Sequence, residues 1–223
     1  PVVFRTPMGA RRGYGPTHSQ SIEKHFVGMD KFEILALNIY LNPAVVFKYI
    51  HNRVHPTLLI ENKVDYGKKP SLNLPDGYEL LISDEELPNL LIRPAVHSNI
   101  TTTIITYGGT ADITAGAIEE LFFEQDELVQ VLILSQIDPL PKQFILSNIP
   151  DYSKVITFEE GTERGCIGDT IISLLAKNKS SLQFASVTTL DTTIPSVKSL
   201  EEAVLSNRQM LINRIKLLVN EPA

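Results

Sequence analysis

The sequence predicts an α/β protein in two unequal parts: a half-unit of open sheet, then a doubly wound domain. Three observations carry that expectation. Short apolar runs alternate with stretches of helical spacing, the rhythm of a parallel sheet with crossover helices. The rhythm stops over residues 67–99, where Pro70, Pro75, Pro88 and Pro94 cluster, and it restarts at residue 100. The chain also opens on PVVFR, already a strand pattern, with Pro1 in place of Met, and so reads as a piece of a longer polypeptide.

The first part runs strand, helix start, strand, helix, strand. Residues 1–5 form an apolar run, and residues 19–26 read as a helix start. Phe32 to Leu37 is a second strand. Asn42-Pro43 sits where a cap and a first-turn proline belong, and Val46, Phe47 and Ile50 continue at helical spacing. His55-Pro56 closes that helix, and Thr57 to Ile60 is a third strand ending on Glu61. The proline-rich stretch that follows has Asp76-Gly77 as a turn and an acidic run at Asp84-Glu85-Glu86. It reads as a connector with room for one short hairpin.

The second part repeats the pattern at greater length. Thr101 to Thr106 is β-branched throughout, and Gly108-Gly109-Thr110 forms a turn and cap. Ile113, Ala117, Leu121 and Phe122 mark one helix face. Leu128 to Leu134, interrupted only by Gln130, has the near-continuous apolar character of a strand buried on both faces. A short helix spans Pro141 to Ile149, and Val155 to Phe158 is a strand running into Glu159-Glu160-Gly161. Ile167, Ile171, Leu174 and Leu175 line the next helix, and Leu182 to Thr188 is a further strand. The last helix is expected to start near Ser199, with Glu202 completing a capping box. Val204, Leu211, Ile215 and Leu218 give it an apolar stripe.

Bulk properties narrow the function. The 223 residues are 43% hydrophobic and 21% charged, an ordinary globular composition. A net charge of −6 and a pI near 5.4 argue against nucleic-acid binding, and the only adjacent basic pairs are Arg11-Arg12 and Lys68-Lys69. The single cysteine, Cys166, excludes an internal disulfide and a multi-cysteine metal site. It fits a reducing compartment, so the chain is expected in the cytoplasm. No apolar run of roughly 18 residues exists, so no membrane span is expected.

Several constellations can carry chemistry, each with a plainer alternative. His18 follows Gly15-Pro16-Thr17 at the end of a βα loop, where an open α/β sheet presents side chains to ligand. An imidazole there suits acid–base work, or it simply caps the next helix. Glu159-Glu160-Gly161 with Gly165-Cys166-Ile167-Gly168 crosses a strand end, a turn and a helix start. That segment either approaches a ligand or uses its glycines for packing. It lacks the glycine spacing of dinucleotide and phosphate loops. Cys166 at a helix N-terminus has no nearby histidine to serve as base and reads as buried. His51 and His55 have a metal-binding spacing, but Pro56 ends the helix there and no third ligand is apparent.

With these residues in hand, a resemblance emerges. PVVFRTPMGARRGYGPTHSQSIEKHF resembles the β subunit of the thiamine-diphosphate-dependent 2-oxo acid dehydrogenases, with strand-Arg-x-Pro-x-Gly, then His-Ser-Gln before a helix. The similarity continues through NPAVVFKYIHNRVHPTLLIENKVDYG, with Glu61 and Tyr66-Gly67 in the family's order. It resumes at ITTTIITYGGT, at the FEEG of residues 158–161 and at LDTTIPSVKSLEE of residues 190–202.

The resemblance implies a transketolase-like architecture. Residues 1–66 correspond to the second half of a domain that binds the cofactor's aminopyrimidine. Residues 67–99 are a linker, and residues 100–223 a transketolase C-terminal domain. By the same resemblance His18 sits at the active-site mouth, in proton transfer and acyl handover to a lipoyl arm, with Ser19, Gln20, Glu61 and Tyr66 as neighbours. Thiamine diphosphate and magnesium are implied for the full assembly but not for this chain alone. The family's Gly-Asp-Gly signature is absent, the activating glutamate lies upstream of the position of Pro1, and Glu61 ends its strand too late to replace it. The implied partners are an α subunit or diphosphate-binding domain, an acyltransferase component and a second copy of the chain. Met29-Asp30-Lys31-Phe32 and Asn38-Ile39-Tyr40 depart from the family's Pro-Gly-Leu and following proline. They fit a divergent member outside the central pyruvate and branched-chain enzymes. An assembly module and a ketol transferase are the competing readings, and His18-Ser19-Gln20 favours the 2-oxo acid branch over the latter.

Overall fold

Two sheets share one hydrophobic framework in the computed structural model, which describes residues 2–69, 74–96, 100–125 and 128–220. The first sheet holds β1 (Val3–Met8), β2 (Glu33–Ala36) and β3 (Thr57–Asn62), all parallel, in the order β1-β3-β2. The crossover from β2 to β3 is α1 (Pro43–His51), capped by Asn42, whose side chain accepts from Ala44 N at 3.0 Å. This helix ends at His51, four residues before the expected stop at His55-Pro56, so His51 and His55 do not share a helix face.

The second sheet has the order β10 (Gln183–Thr189), β9 (Lys154–Thr162), β6 (Thr102–Tyr107), β7 (Val129–Leu134), β5 (Leu90–Pro94) and β4 (Tyr78–Ile82). Its antiparallel edge is the hairpin β4 (Tyr78–Ile82) and β5 (Leu90–Pro94), drawn from the stretch read as a connector. Residues 70–73 and 97–99 of that stretch lie outside the described residues. The hairpin is not a free appendage: β5 pairs with β7 (Val129–Leu134) from Leu90↔Ile133 to Ile92↔Val131. Asp84, Glu85 and Glu86 form its solvated tip.

The parallel strands are β6 (Thr102–Tyr107), β7, β9 (Lys154–Thr162) and β10 (Gln183–Thr189). Their crossovers are α2 (Thr110–Gln125), α3 (Lys142–Asn148) and α4 (Ile167–Asn178). A three-residue strand, β8 (Gln136–Asp138), leaves this half of the chain and pairs antiparallel with β2, closing the edge of the first sheet.

Strand alternation explains how two sheets share a core. Leu35 and Leu59 from the first sheet enter one cluster together with Ile104, Val131 and Ile133 from the second. Their neighbours Ile34 and Leu58 enter the opposite cluster with Ile105, Leu132 and Leu134. All six residues of β7 are buried, as its continuous apolar run requires. No helix among the described residues is long and apolar enough to cross a membrane.

Two expectations fail, for stated reasons. Residues 19–26 do not begin an α-helix; they hold a single 3₁₀ turn at Glu23–His25. The side chains of Ser19 and Glu23 are buried and bonded to groups far along the chain. Gly28 then turns the chain at φ +83. The last helix is in fact two, α5 (Lys198–Val204) and α6 (Arg208–Asn220). The capping box does not form: Val197 precedes α5 with no side-chain cap, and Glu202 reaches Lys198 at 3.9 Å instead. Asn207 starts the second helix, its Oδ1 accepting from Met210 N at 2.9 Å.

Candidate active site

The segment from Gly9 to Gln20 follows β1 as a loop of unusual backbone shape. Gly9, Arg11, Gly13 and Gly15 all have φ between 67 and 95. At two of these positions an added Cβ would crowd Ser196 as well as meet an unfavourable φ. A Cβ on Gly15 would stand 2.4 Å from Ser196 Oγ, and one on Gly13 would stand 3.0 Å from Ser196 O. The loop therefore lies flat against residues that lead into α5.

Hydrogen bonds hold it there. Glu201, 0% exposed, accepts from Gly13 N at 2.8 Å, Arg11 N at 3.1 Å and Ser19 Oγ at 3.4 Å. Glu160 accepts from Ala10 N at 2.6 Å, and the Arg11 guanidinium donates to Ser206 O. One buried carboxylate taking three donors is a strong restraint, because charge-assisted bonds shielded from water exceed neutral ones.

This arrangement decides where each site residue expected from sequence goes. Ser19 is 1% exposed and faces the second part of the chain. His18 and Gln20, its neighbours, are exposed and line a groove of about 570 Å³ with Thr6, Met8, Arg12 and Lys63. The Arg12 guanidinium donates to the carbonyls of Gly9 and His18 at 3.1 Å each and lies 4.7 Å from the centre of the Tyr14 ring. Tyr14 in turn stands edge-on to His18 with ring centres 6.5 Å apart. His18 does not cap a helix.

Glu61 and Tyr66 fall elsewhere. Arg5 alternates with Thr6 along β1, and on its side of the strand opens a groove of about 770 Å³. Glu61, 2% exposed, accepts from Arg5 Nε at 2.6 Å, Arg5 Nη2 at 3.0 Å and the Tyr66 hydroxyl. Burial alone would raise this carboxyl. The bonds from Arg5 and Tyr66 and the guanidinium charge outweigh it and hold the group below the ordinary carboxylate range. Asn38, Tyr40, Phe47, Asp65 and Lys68 complete the wall. The structure thus joins Glu61 to Tyr66 and His18 to Gln20, in two grooves rather than one.

The other constellations resolve into structure. Glu159 takes Gly168 N at 2.7 Å and Ile167 N at 3.2 Å, so it caps α4 from the preceding strand. Gly168 is glycine because a Cβ would stand 2.4 Å from Thr157 Oγ1. Cys166 is 3% exposed, and burial with the adjacent Glu159 charge pushes its thiol up to about 12, the opposite of an activated nucleophile. Among the described residues no group of three or more His, Cys, Asp or Glu side chains is placed to hold a metal. Both oxygens of Glu61 are already committed, and no other carboxylate lines its groove except Asp65, which pairs with Lys68 at 2.9 Å. Among the residues lining this groove, no carboxylate is left free for a magnesium–diphosphate group.

Glu201, Tyr107 and Glu23 are working residues that sequence reasoning did not single out, and Glu160 stood in the Glu159-Glu160-Gly161 constellation without an assigned role. A signal existed, since each falls in a segment that carries the resemblance: Glu23 in HSQSIE, Tyr107 in ITTTIITYGGT, Glu160 in FEEG and Glu201 in LDTTIPSVKSLEE. Hydropathy did not mark Glu201: in α5 Leu200 is exposed while Glu201 is buried.

Residues 95–210 match the transketolase C-terminal domain family, and the chain belongs to that family. Beyond that domain the similarity reaches nearly the whole chain. It is 27% identical over 222 residues to the pyruvate dehydrogenase E1 component subunit beta of Gracilaria tenuistipitata var. liui, covering 98% of this chain and 66% of that protein. Against the mitochondrial E1 subunit beta-1 of Arabidopsis thaliana it is 25% identical over 224 residues, covering 97% and 59%. The chain spans just under two thirds of the length of these relatives. Among solved structures, a split-gene transketolase described as an inactive β4 tetramer superposes with a TM-score of 0.72 at 13% identity, covering 98% of this chain and 67% of that one. A transketolase mutant from Pichia stipitis gives 0.65 at 15% identity, covering 97% and 30%. At these identities the likeness is one of fold.

Proposed function

We propose that this chain does the work of the C-terminal part of the β subunit of a thiamine-diphosphate-dependent 2-oxo acid dehydrogenase, with His18 as its contribution to the active-site mouth. The observation that supports this best is the presentation of His18: an exposed imidazole on a loop that Glu201 and Glu160 fix from the far end of the chain. A side chain that must meet a substrate or a lipoyl arm needs exposure at its tip and rigidity at its base.

In this reading His18 gives and takes the proton at the groove. Gln20 shares the groove and orients polar groups within it. Ser19 fixes the loop. Glu61 and Tyr66 shape the adjoining groove across β1. The cofactor, when bound in the full assembly, supplies the electron sink for decarboxylation. This chain's residues supply the wall and the proton, and alone they are inactive. The diphosphate-binding α subunit and the acyltransferase component are the proposed partners. Val3 and Phe4 are exposed on β1 at the edge of its sheet, a surface that suits self-association or cover by another element. The cytoplasm is the proposed compartment, on the strength of the single free cysteine.

The test is a His18→Asn substitution in the enzyme reconstituted with its diphosphate-binding partner and the upstream segment. Acyl transfer to a lipoyl acceptor should fall about 10²-fold or more, the usual contribution of a positioned acid–base. Unchanged turnover would remove His18 from the site.

A further inference from the structure

Tyr107 presents a problem of proton counting. Its hydroxyl lies 2.7 Å from Glu23 Oε1 and 2.9 Å from Glu159 Oε2, in a fully buried position. A phenol has one proton to donate, and an ionised carboxylate only accepts. Two ionised glutamates would therefore leave one of these contacts without a hydrogen. Glu159 is the better anion, because it receives two backbone N–H groups at the N-terminus of α4. Tyr107 then donates to Glu159, and the hydrogen in the other contact comes from Glu23.

The surroundings agree. Glu23 is 1% exposed, and no ion pair reaches it among the described residues. The charged groups that face it are carboxylates: Glu159 and Glu160 from β9, and Glu61 from β3, which is already paired with Arg5. On its own turn Lys24 points away to Thr162 and Arg164, and His25 is exposed. Arg11 lies 3.9 Å from Glu160 and serves that group. Burial first, then the charges of Glu159 and Glu160, push the Glu23 carboxyl up to about 7, against the pull of its hydrogen bonds.

A second, independent observation lies beside it. A cavity of about 20 Å³, room for one water, is lined by Ser21, Glu23, Glu61, Asn62, Tyr107 and Glu160. Three buried oxygens on that lining have no hydrogen-bond partner in the protein: Ser21 Oγ, Glu23 Oε2 and Glu160 Oε2, the last with only Arg11 Nε at 3.9 Å. One water matches the set, donating to the two carboxyl oxygens and accepting from the serine hydroxyl.

We propose that Glu23 is a positioning residue for the His18 segment and works as a neutral acid. It donates to Tyr107, shares one buried water with Ser21 and Glu160, and so bolts the turn after His18 to the second sheet. Losing its proton releases the bolt: an ionised Glu23 faces Glu159 and Glu160, and the single proton of Tyr107 can serve only one of the two carboxylates it touches. The catalytic meaning of this bolt rests on the reading of His18; the protonation itself does not.

Infrared difference spectroscopy on the 223-residue chain tests it. At pH 6 ordinary carboxyls are ionised. The wild type should still show the carbonyl stretch of a protonated carboxyl that Glu23→Gln lacks. That band should be lost as pH rises through about 7, in step with faster amide exchange over residues 19–26 after correction for intrinsic rates. Glu23→Gln, a permanent neutral mimic, should exchange without that step. Identical bands in wild type and Glu23→Gln overturn the proposal. Should Glu23→Gln not fold, Tyr107→Phe must shift the same band, and an unmoved band overturns it equally. His18→Asn should leave the band in place, so failure here and failure of the His18 reading are told apart.

Discussion

Gly13 donates its backbone N–H to the carboxylate of Glu201 at 2.8 Å, across 188 residues of sequence. That bond, with those from Arg11 and Ser19, makes the His18 loop a joint product of both ends of the chain. The loop's geometry is thus set by packing of α5 as much as by its own glycines. Glu201→Ala leaves three donors unmatched in a buried site and should cost about 3 kcal/mol in urea unfolding. Glu201→Gln keeps one acceptor oxygen and should cost roughly half of that. Hydrogen exchange at Arg11 and Gly13 should speed up in both.

Gly15 tests the fit of the loop against α5. With φ +67 and a Cβ position 2.4 Å from Ser196 Oγ, Gly15→Ala should destabilise by about 2 kcal/mol. In a Ser196→Gly background the steric part disappears, leaving about 1 kcal/mol of backbone strain. A double-mutant cycle measures the difference, and additivity of the two changes would mean the loop does not touch Ser196.

Glu61 gives a pH dependence of definite sign. Its folded carboxyl sits below the unfolded value of 4.5, so the stability it adds is present above that pH. It is lost as pH falls through the lower folded value. Unfolding measured from pH 6 down to pH 3 should therefore show Glu61→Gln converging on wild type at the acid end. Arg5 is 60% exposed, so solvent screening should keep the gap near neutral pH small.

Cys166 should be inert. A thiol held near 12 and closed off from solvent carries almost no thiolate at pH 8. A disulfide reagent should fail to react with the folded chain at that pH and react once with the chain in denaturant. Fast labelling of the folded chain would mean that the α4 N-terminus opens.

The alternation of strands and helices was legible because the buried strands are largely apolar or β-branched, as Val129 to Leu134 are apart from Gln130. Strand order was not. Nothing in Gln136-Ile137-Asp138 says that these residues pair with β2, or that Leu90 to Ile92 pair with β7. Such pairings are set by distance in space, which local patterns do not encode. The site divided in the same way. His18, Gln20, Glu61 and Tyr66 stood out by type and by resemblance, whereas the residues that hold them did not. Glu201 sits beside an exposed Leu200, and Glu23 sits in a segment whose helical spacing lost to the long-range bonds of Ser19 and Glu23.

The most direct test of the central claim is calorimetric titration of thiamine diphosphate with magnesium. It is run first into this 223-residue chain, then into the chain combined with the upstream segment and the candidate diphosphate-binding partner. The split-site account predicts no heat from the chain alone and saturable binding in the combined sample. Binding by the lone chain, or silence in both, would contradict it.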